Sequence, residues 1–223
     1  NTIVGGFLYS YPLGLPYKSY RKRHLEHHRE VGKPSDPDWG NYQGPQFATK
    51  GKVYSFYIMR ILGAYLFVNV VTVMLGKTPP VLQDGKKDNP TRDLVYLALT
   101  QLTLIAIISV AFTWWLYFVL WILPLVTLTS FLVGFRAFLE HNHPDETSGV
   151  EERLFDYHPN MVESFFISPC HFHLHAIHHA YPAVPHYRLD DMKLELAQKA
   201  ITYPCENRRG FVSTFFSQVN KLA

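Results

Sequence analysis

Leu94-Val-Tyr-Leu-Ala-Leu-Thr-Gln-Leu-Thr-Leu-Ile-Ala-Ile-Ile-Ser-Val-Ala-Phe112 is a run of 19 residues without a charged side chain. At ~1.5 Å per residue, a helix of that length matches the ~30 Å hydrocarbon core of a bilayer. Thr113-Trp114-Trp115 follows, and Leu116 to Leu139 is a second apolar run whose only charge is Arg136. Trp114, Trp115 and Tyr117 suit the aromatic belt of a membrane interface, here at the tip of a hairpin. A buried hairpin in a soluble protein is the alternative, and two consecutive runs of this length favour two spans.

Histidine motifs flank the hairpin on both sides. His24-Leu-Glu-His27-His28 lies before it, and His173-Leu-His175-Ala-Ile-His178-His179 lies after it. Each contains HxxHH, and on a helix positions i, i+3 and i+4 share one face, about 5–6 Å apart at Cβ. Three imidazoles so placed point into one volume. Pro16 suits the first position of a helix running from Tyr17 to about Val31 and stopping at Gly32 and Pro34. Ser168-Pro169 reads as the start of the second histidine helix, which continues through Ala180 and halts before Pro182. That boundary places His171 on the same stripe as His175 and His178, with His173 off the face.

The two motifs share a site only if an even number of spans separates them. Val53–Leu75 is apolar enough to be a third span, but Arg60 would cost a few kcal/mol at mid-bilayer. It is therefore read as an interfacial helix, leaving the hairpin 94–139 as the two spans. Ile3–Leu15 is short and broken by glycine and proline. Gly76–Asp93 and Asp145–Asn160 read as polar loops, and Asp190–Ala223 as one or two amphipathic pieces. The expected fold is all-α: an integral membrane helical protein with one transmembrane hairpin, interfacial helices and a histidine-rich cap. One domain is expected over 1–223, with the first HxxHH region at 1–52, the interfacial helix and loop at 53–93, the hairpin at 94–139 and the second HxxHH region at 140–223.

Composition agrees with a membrane protein. Charged residues make up 17% of the 223, below the ~25% of ordinary soluble domains. The net charge of +3 carries no nucleic-acid signature. Lys18, Arg21, Lys22 and Arg23 cluster before the first histidine motif and suit anionic headgroups. Two cysteines make neither a disulfide framework nor a zinc-finger spacing, which points to a reducing compartment.

Clustered neutral imidazoles suit Fe, Zn, Cu or Ni. His24, His27, His28, His141, His175, His178 and His179 are seven that can converge on one membrane face. A closed structural zinc site takes four ligands, so seven read as two metals, with His171 as the best further ligand. Imidazole-rich dinuclear sites beside a bilayer suit activation of dioxygen and attack on an unactivated C–H bond. A haem protein would need histidines within the spans, which hold none. A histidine-rich metal transporter would need a polar path through them, and only Gln101, a few hydroxyls and Arg136 are polar there. A zinc membrane hydrolase is a further alternative. His143 and His173 are outer partners or surface residues, and His158 and His186 are loop histidines. Glu26, Glu140 and Glu163 are candidates to orient imidazoles. Arg136 and Glu140 are spaced for an ion pair, and Asp36 and Asp38 read as turn residues.

Arg23-His-Leu-Glu-His-His-Arg29 with Asp36-Pro-Asp38, Arg136-Ala-Phe-Leu-Glu-His141, and His175-Ala-Ile-His-His-Ala-Tyr-Pro-Ala-Val-Pro-His-Tyr-Arg-Leu189 resemble motifs of one family. This is the membrane fatty acid desaturase superfamily, which includes acyl-lipid and sphingolipid desaturases, related hydroxylases and carotenoid ketolases. The resemblance covers most of residues 12–189. It implies a helical membrane fold with a cytosolic cap, in a bacterial inner membrane or the endoplasmic reticulum. It also implies a lipid substrate, two non-haem irons, O2, and electrons from a ferredoxin or b-type cytochrome. Such enzymes carry an earlier histidine box, and no histidine precedes His24. The expectation is that this box lies upstream of Asn1.

Overall fold

The computed structural model describes residues 3–74, 91–143 and 154–222, and these are mostly helical. In chain order come a π-helical segment Val4–Ser10, α1 (Tyr17–Glu30), a single turn at Trp39–Tyr42, α2 (Lys50–Ile61) and α3 (Ala64–Met74). Then follow α4 (Thr91–Ala111), α5 (Trp115–His141), β1 (Phe155–Tyr157), α6 (Met161–Phe166) and α7 (His175–Ala180). The chain closes with α8 (Leu189–Gln198), β2 (Glu206–Arg208) and α9 (Phe211–Asn220). The loop read at Gly76–Asp93 lies largely outside the described residues. The described part of the loop read at Asp145–Asn160 contains β1, so a strand pair is added to the all-helical expectation. Contacts divide the chain into two compact units, Asn1–Glu26 with Ile58–Phe131, and His27–Tyr57 with Leu132–Ala223.

α4 and α5 have the length and apolarity to cross a membrane. Leu102, Ile107, Val110 and Phe112 are all more than half exposed, the kind of apolar surface that lipid covers. Pro124 removes an amide donor and crowds the carbonyl one turn earlier. The helix absorbs it with wide π turns on both sides, at Phe118–Ile122 and Leu125–Thr129. The segment expected as one interfacial helix from Val53 is instead broken into α2 and α3, because Gly63 adopts φ 72°, a left-handed conformation that ends a helix. Buried Arg60 donates to the Ser130 carbonyl at 2.7 Å and lies 3.9 Å over the Tyr65 ring, which offsets the burial of its charge.

Gln101 explains how the N-terminal segment is held to the hairpin. Its Nε2 donates to the carbonyls of Tyr11 at 2.5 Å and Pro12 at 2.9 Å, and its Oε1 accepts from the Tyr117 hydroxyl at 2.6 Å. Trp121 Nε1 also donates to the Pro12 carbonyl, at 2.8 Å. Asp93, buried at the start of α4, accepts from the Tyr11 hydroxyl at 2.6 Å and from the Lys18 amide at 2.9 Å.

In the second unit, β1 and β2 pair in parallel, with Phe155, Asp156 and Tyr157 opposite Glu206, Asn207 and Arg208. Tyr157 stacks on Phe211 of α9 at 4.1 Å. Its hydroxyl donates to the Leu139 carbonyl of α5 at 2.6 Å, and its amide to the His173 carbonyl at 2.8 Å. Phe47, Phe138, Tyr57, Phe135 and Phe215 form an aromatic core beside it. α7 buries Ile177 with Leu174, Leu189 and Leu196, and Ala176 with Val31 and Leu154. Its other face is thereby left to histidine.

Replacing Gln101 by Leu strands the Tyr117 hydroxyl and takes one donor each from the Tyr11 and Pro12 carbonyls, which keep the Gly14 amide and Trp121 Nε1. A buried hydroxyl left without its partner costs about 1–3 kcal/mol. The melting temperature of the protein in detergent is expected to fall clearly.

Candidate metal centre

The second unit gathers four histidines from three helices: His27 near the end of α1, His141 at the end of α5, and His175 and His179 on α7. One ring nitrogen of each lies within 4.8 Å of the others. His27, His141 and His175 are buried. The Nε2 of His141 stands 3.2 Å from that of His27 and 2.8 Å from that of His175. The His179 ring sits 5.0 Å from His27, 5.0 Å from His141 and 4.6 Å from His175, centroid to centroid.

Carboxylates stand behind two of these rings. His27 Nδ1 lies 2.9 Å from both Asp36 oxygens. A carboxylate there fixes the proton on Nδ1 and turns the Nε2 lone pair toward the cluster. Asp36 is itself held by the Tyr42 hydroxyl at 2.5 Å and the Asp38 amide at 2.7 Å. Glu140 accepts from Arg136 Nε at 2.8 Å, and its other oxygen lies 3.6 Å from His175 Nδ1. The guanidinium of Arg136 also covers the Phe172 ring at 4.3 Å. Fully buried Asp156 accepts the Ala176 amide at the start of α7 at 2.8 Å, together with Lys193 Nζ at 3.1 Å and the Tyr203 hydroxyl at 2.9 Å.

The other expected site residues fall into three places. His28 and His178 face each other at 4.6 Å, and the His28 ring stacks on His179 at 4.1 Å. His24 belongs to the first unit, where it stacks on Tyr20 at 5.8 Å. His171 is not on the histidine helix, because that helix begins at His175 and not at Pro169. The Ser168 amide instead closes α6 on the Glu163 carbonyl, and Cys170 and His171 take left-handed backbone angles of 59° and 60°. The N-terminal acceptor of α7 is Asp156, distant in sequence, which is why the local Ser-Pro signal misplaced the boundary. Asp36 is likewise more than a turn residue, and the carboxylate pair soon after HxxHH was the available signal. Glu163 orients no imidazole among the described residues; it closes a capping box with Asn160 and accepts the Val212 amide at 2.8 Å. His158 and His186 are exposed, as expected of loop residues.

Burial first, then the neighbouring imidazoles, hold His175 and His179 well below the ordinary imidazole value. Both are therefore neutral at neutral pH, the form that ligates metals. Among the described residues, neither buried ring nitrogen of His179 has a hydrogen-bond partner. Such orphans cost about 1–3 kcal/mol each, and a cation among the four rings would satisfy one of them. The donor set therefore fits a metal that favours imidazole.

The fatty acid desaturase family model matches residues 1–205. The chain belongs to the fatty acid desaturase family. No curated protein and no solved structure matches it. The chain is thus a desaturase-family enzyme, mostly helical with two long apolar helices, and its four-histidine cluster is consistent with a di-iron site. The family implies a lipid substrate.

Asp36→Asn in this desaturase-family enzyme keeps one oxygen, for either the Tyr42 hydroxyl or the Asp38 amide, and removes the charge that holds His27 Nδ1–H. Metal affinity is expected to fall on the order of 10–100-fold. Titration of the metal-free protein in detergent measures it, and an unchanged affinity would show that His27 needs no carboxylate.

Proposed function

We propose that this chain desaturates a long-chain fatty acyl or other lipid substrate, using O2 and two non-haem irons. The observation that carries the reading is the convergence of His27, His141, His175 and His179 in a chain of the desaturase family. His24, His28 and His178 complete the proposed ligand set. Bound there, the irons supply O2-dependent removal of hydrogen from an unactivated C–H bond.

The chain's own residues then have defined tasks. Asp36 keeps the His27 lone pair directed inward, and Glu140, braced by Arg136, stands behind His175. Asp156 anchors the start of the helix that carries three of the ligands. The exposed apolar surfaces of α4 and α5 support a membrane setting, with Lys18, Arg21, Lys22 and Arg23 near anionic headgroups. The site is placed on the cytosolic face of a bacterial inner membrane or the endoplasmic reticulum, where a ferredoxin or b-type cytochrome delivers electrons. A metal transporter would need a polar path, and Gln101, the amide in the apolar runs, is already bonded to Tyr11, Pro12 and Tyr117.

Hydroxylation and ketolation begin with the same C–H step, so the product decides among them. Protein made with iron supplied is expected to hold about two irons per chain, in line with dinuclear sites. With O2 and a reductant, mass spectrometry of the lipids should show loss of two hydrogens, where a hydroxylase would add one oxygen. His179→Ala should lose iron and product together. Iron well below one per chain in the unaltered protein would overturn the reading.

A further inference from the structure

The left-handed turn at Cys170-His171 carries His171 away from α7 and toward α8. His171 Nδ1 lies 2.5 Å from Oδ2 of Asp190, in the first turn of α8. Ligand atoms of His171, His173 and Asp190 all lie within 4.8 Å of one another, and none of these residues belongs to the four-histidine group. The His186 ring is 6.4 Å from that of His171, centroid to centroid. The His171 and Asp190 side chains are 39% and 53% exposed, so a cation has access from solvent. A simple ion pair accounts for His171 and Asp190. It leaves His173 Nδ1 buried and, among the described residues, without a hydrogen-bond partner.

We propose that His171, His173 and Asp190, with His186 as the fourth ligand, form a separate site for one divalent cation of the zinc class. Three imidazoles and one carboxylate are donors zinc accepts in four-coordinate sites. Bonds of about 2.0–2.1 Å in a tetrahedron require ligand atoms about 3.3 Å apart. For His171, His173 and Asp190 that spacing falls between the 2.5 Å contact and the 4.8 Å limit seen here, while His186 stands farther out and would turn in to complete the set. Two ligands precede α7 in the chain and two follow it. A cation held by all four would therefore pin both ends of the helix that presents His175, His178 and His179. The role is structural, and it does not depend on the chemistry proposed for the four-histidine group.

The test compares the whole chain in detergent with the double variant His171→Asn/Asp190→Asn. Asn tolerates the left-handed backbone at residue 171, and at residue 190 it keeps the shape of Asp. After loading with zinc and removal of free metal, elemental analysis should show about one more zinc per chain in the unaltered protein than in the variant. The variant should retain the iron content and helical circular dichroism of the unaltered protein, and should lose the rise in melting temperature on zinc addition. His179→Ala should keep the zinc difference. Equal zinc in the two proteins, or a difference that vanishes with His179→Ala, overturns the proposal. If the double variant does not fold, His186→Ala on the exposed turn is the readout. A fall in zinc affinity of about tenfold or more is expected there, and unchanged affinity overturns the proposal.

Discussion

The Nε2 atoms of His27 and His175 stand 3.2 and 2.8 Å from the Nε2 of His141. Lone pairs facing each other at these distances repel unless something positive lies between them. A proton on His141 can bridge one contact and leaves the other open. Charging a second ring is opposed by the burial that already holds His175 and His179 well below the ordinary value. A metal ion meets all the nitrogens at once and needs no protonated ring. The surrounding architecture can be understood as what keeps these rings together against their mutual repulsion.

That architecture uses carboxylates at two levels. Asp36 bonds the His27 ring from the side opposite the cluster, and Glu140 lies 3.6 Å behind the His175 ring. Asp156 acts on the backbone, where it accepts the amide of Ala176 and so fixes the start of α7. Its negative charge at a helix N-terminus is favoured by the helix dipole, and Lys193 and Tyr203 satisfy its second oxygen. Tyr157, the next residue on β1, reaches the Leu139 carbonyl, two residues before His141. A three-residue strand therefore touches both the helix end that bears His141 and the segment leading to His175. The strand pair is small, but it registers two ligand-bearing elements against each other.

Much of this was legible in the chain because metal motifs and apolar runs are local patterns. HxxHH needs only helical periodicity, and α1 begins and ends within a residue of where Pro16 and Gly32 placed it. The apolar lengths of 94–112 and 116–139 similarly gave α4 and α5. What stayed hidden depends on partners distant in sequence. Ser168-Pro169 is a sound local helix start, yet the amide that needed a cap was that of Ala176, and Asp156 supplied it. Asp36 looked like a turn residue because its ring partner lies on the preceding helix and its hydroxyl partner on the following turn. Gln101 looked like an isolated polar residue in an apolar run, and only the fold shows the carbonyls of Tyr11 and Pro12 that occupy it. The break at Gly63 was missed because glycine is common in apolar helices, and nothing beside it in the sequence marks its left-handed angle.

The register of α5 joins these themes. His141 helps form the metal cluster only if its ring leaves the helix on the correct side, together with the Arg136–Glu140 pair one turn earlier. The two π turns flanking Pro124 each hold more residues than an α turn, so each shifts the helical register locally. Proline in a soluble helix would break it. In a span, where every backbone group must find a partner within the chain, local widening is the cheaper response. The widened turns are therefore how an apolar segment accommodates one missing amide proton.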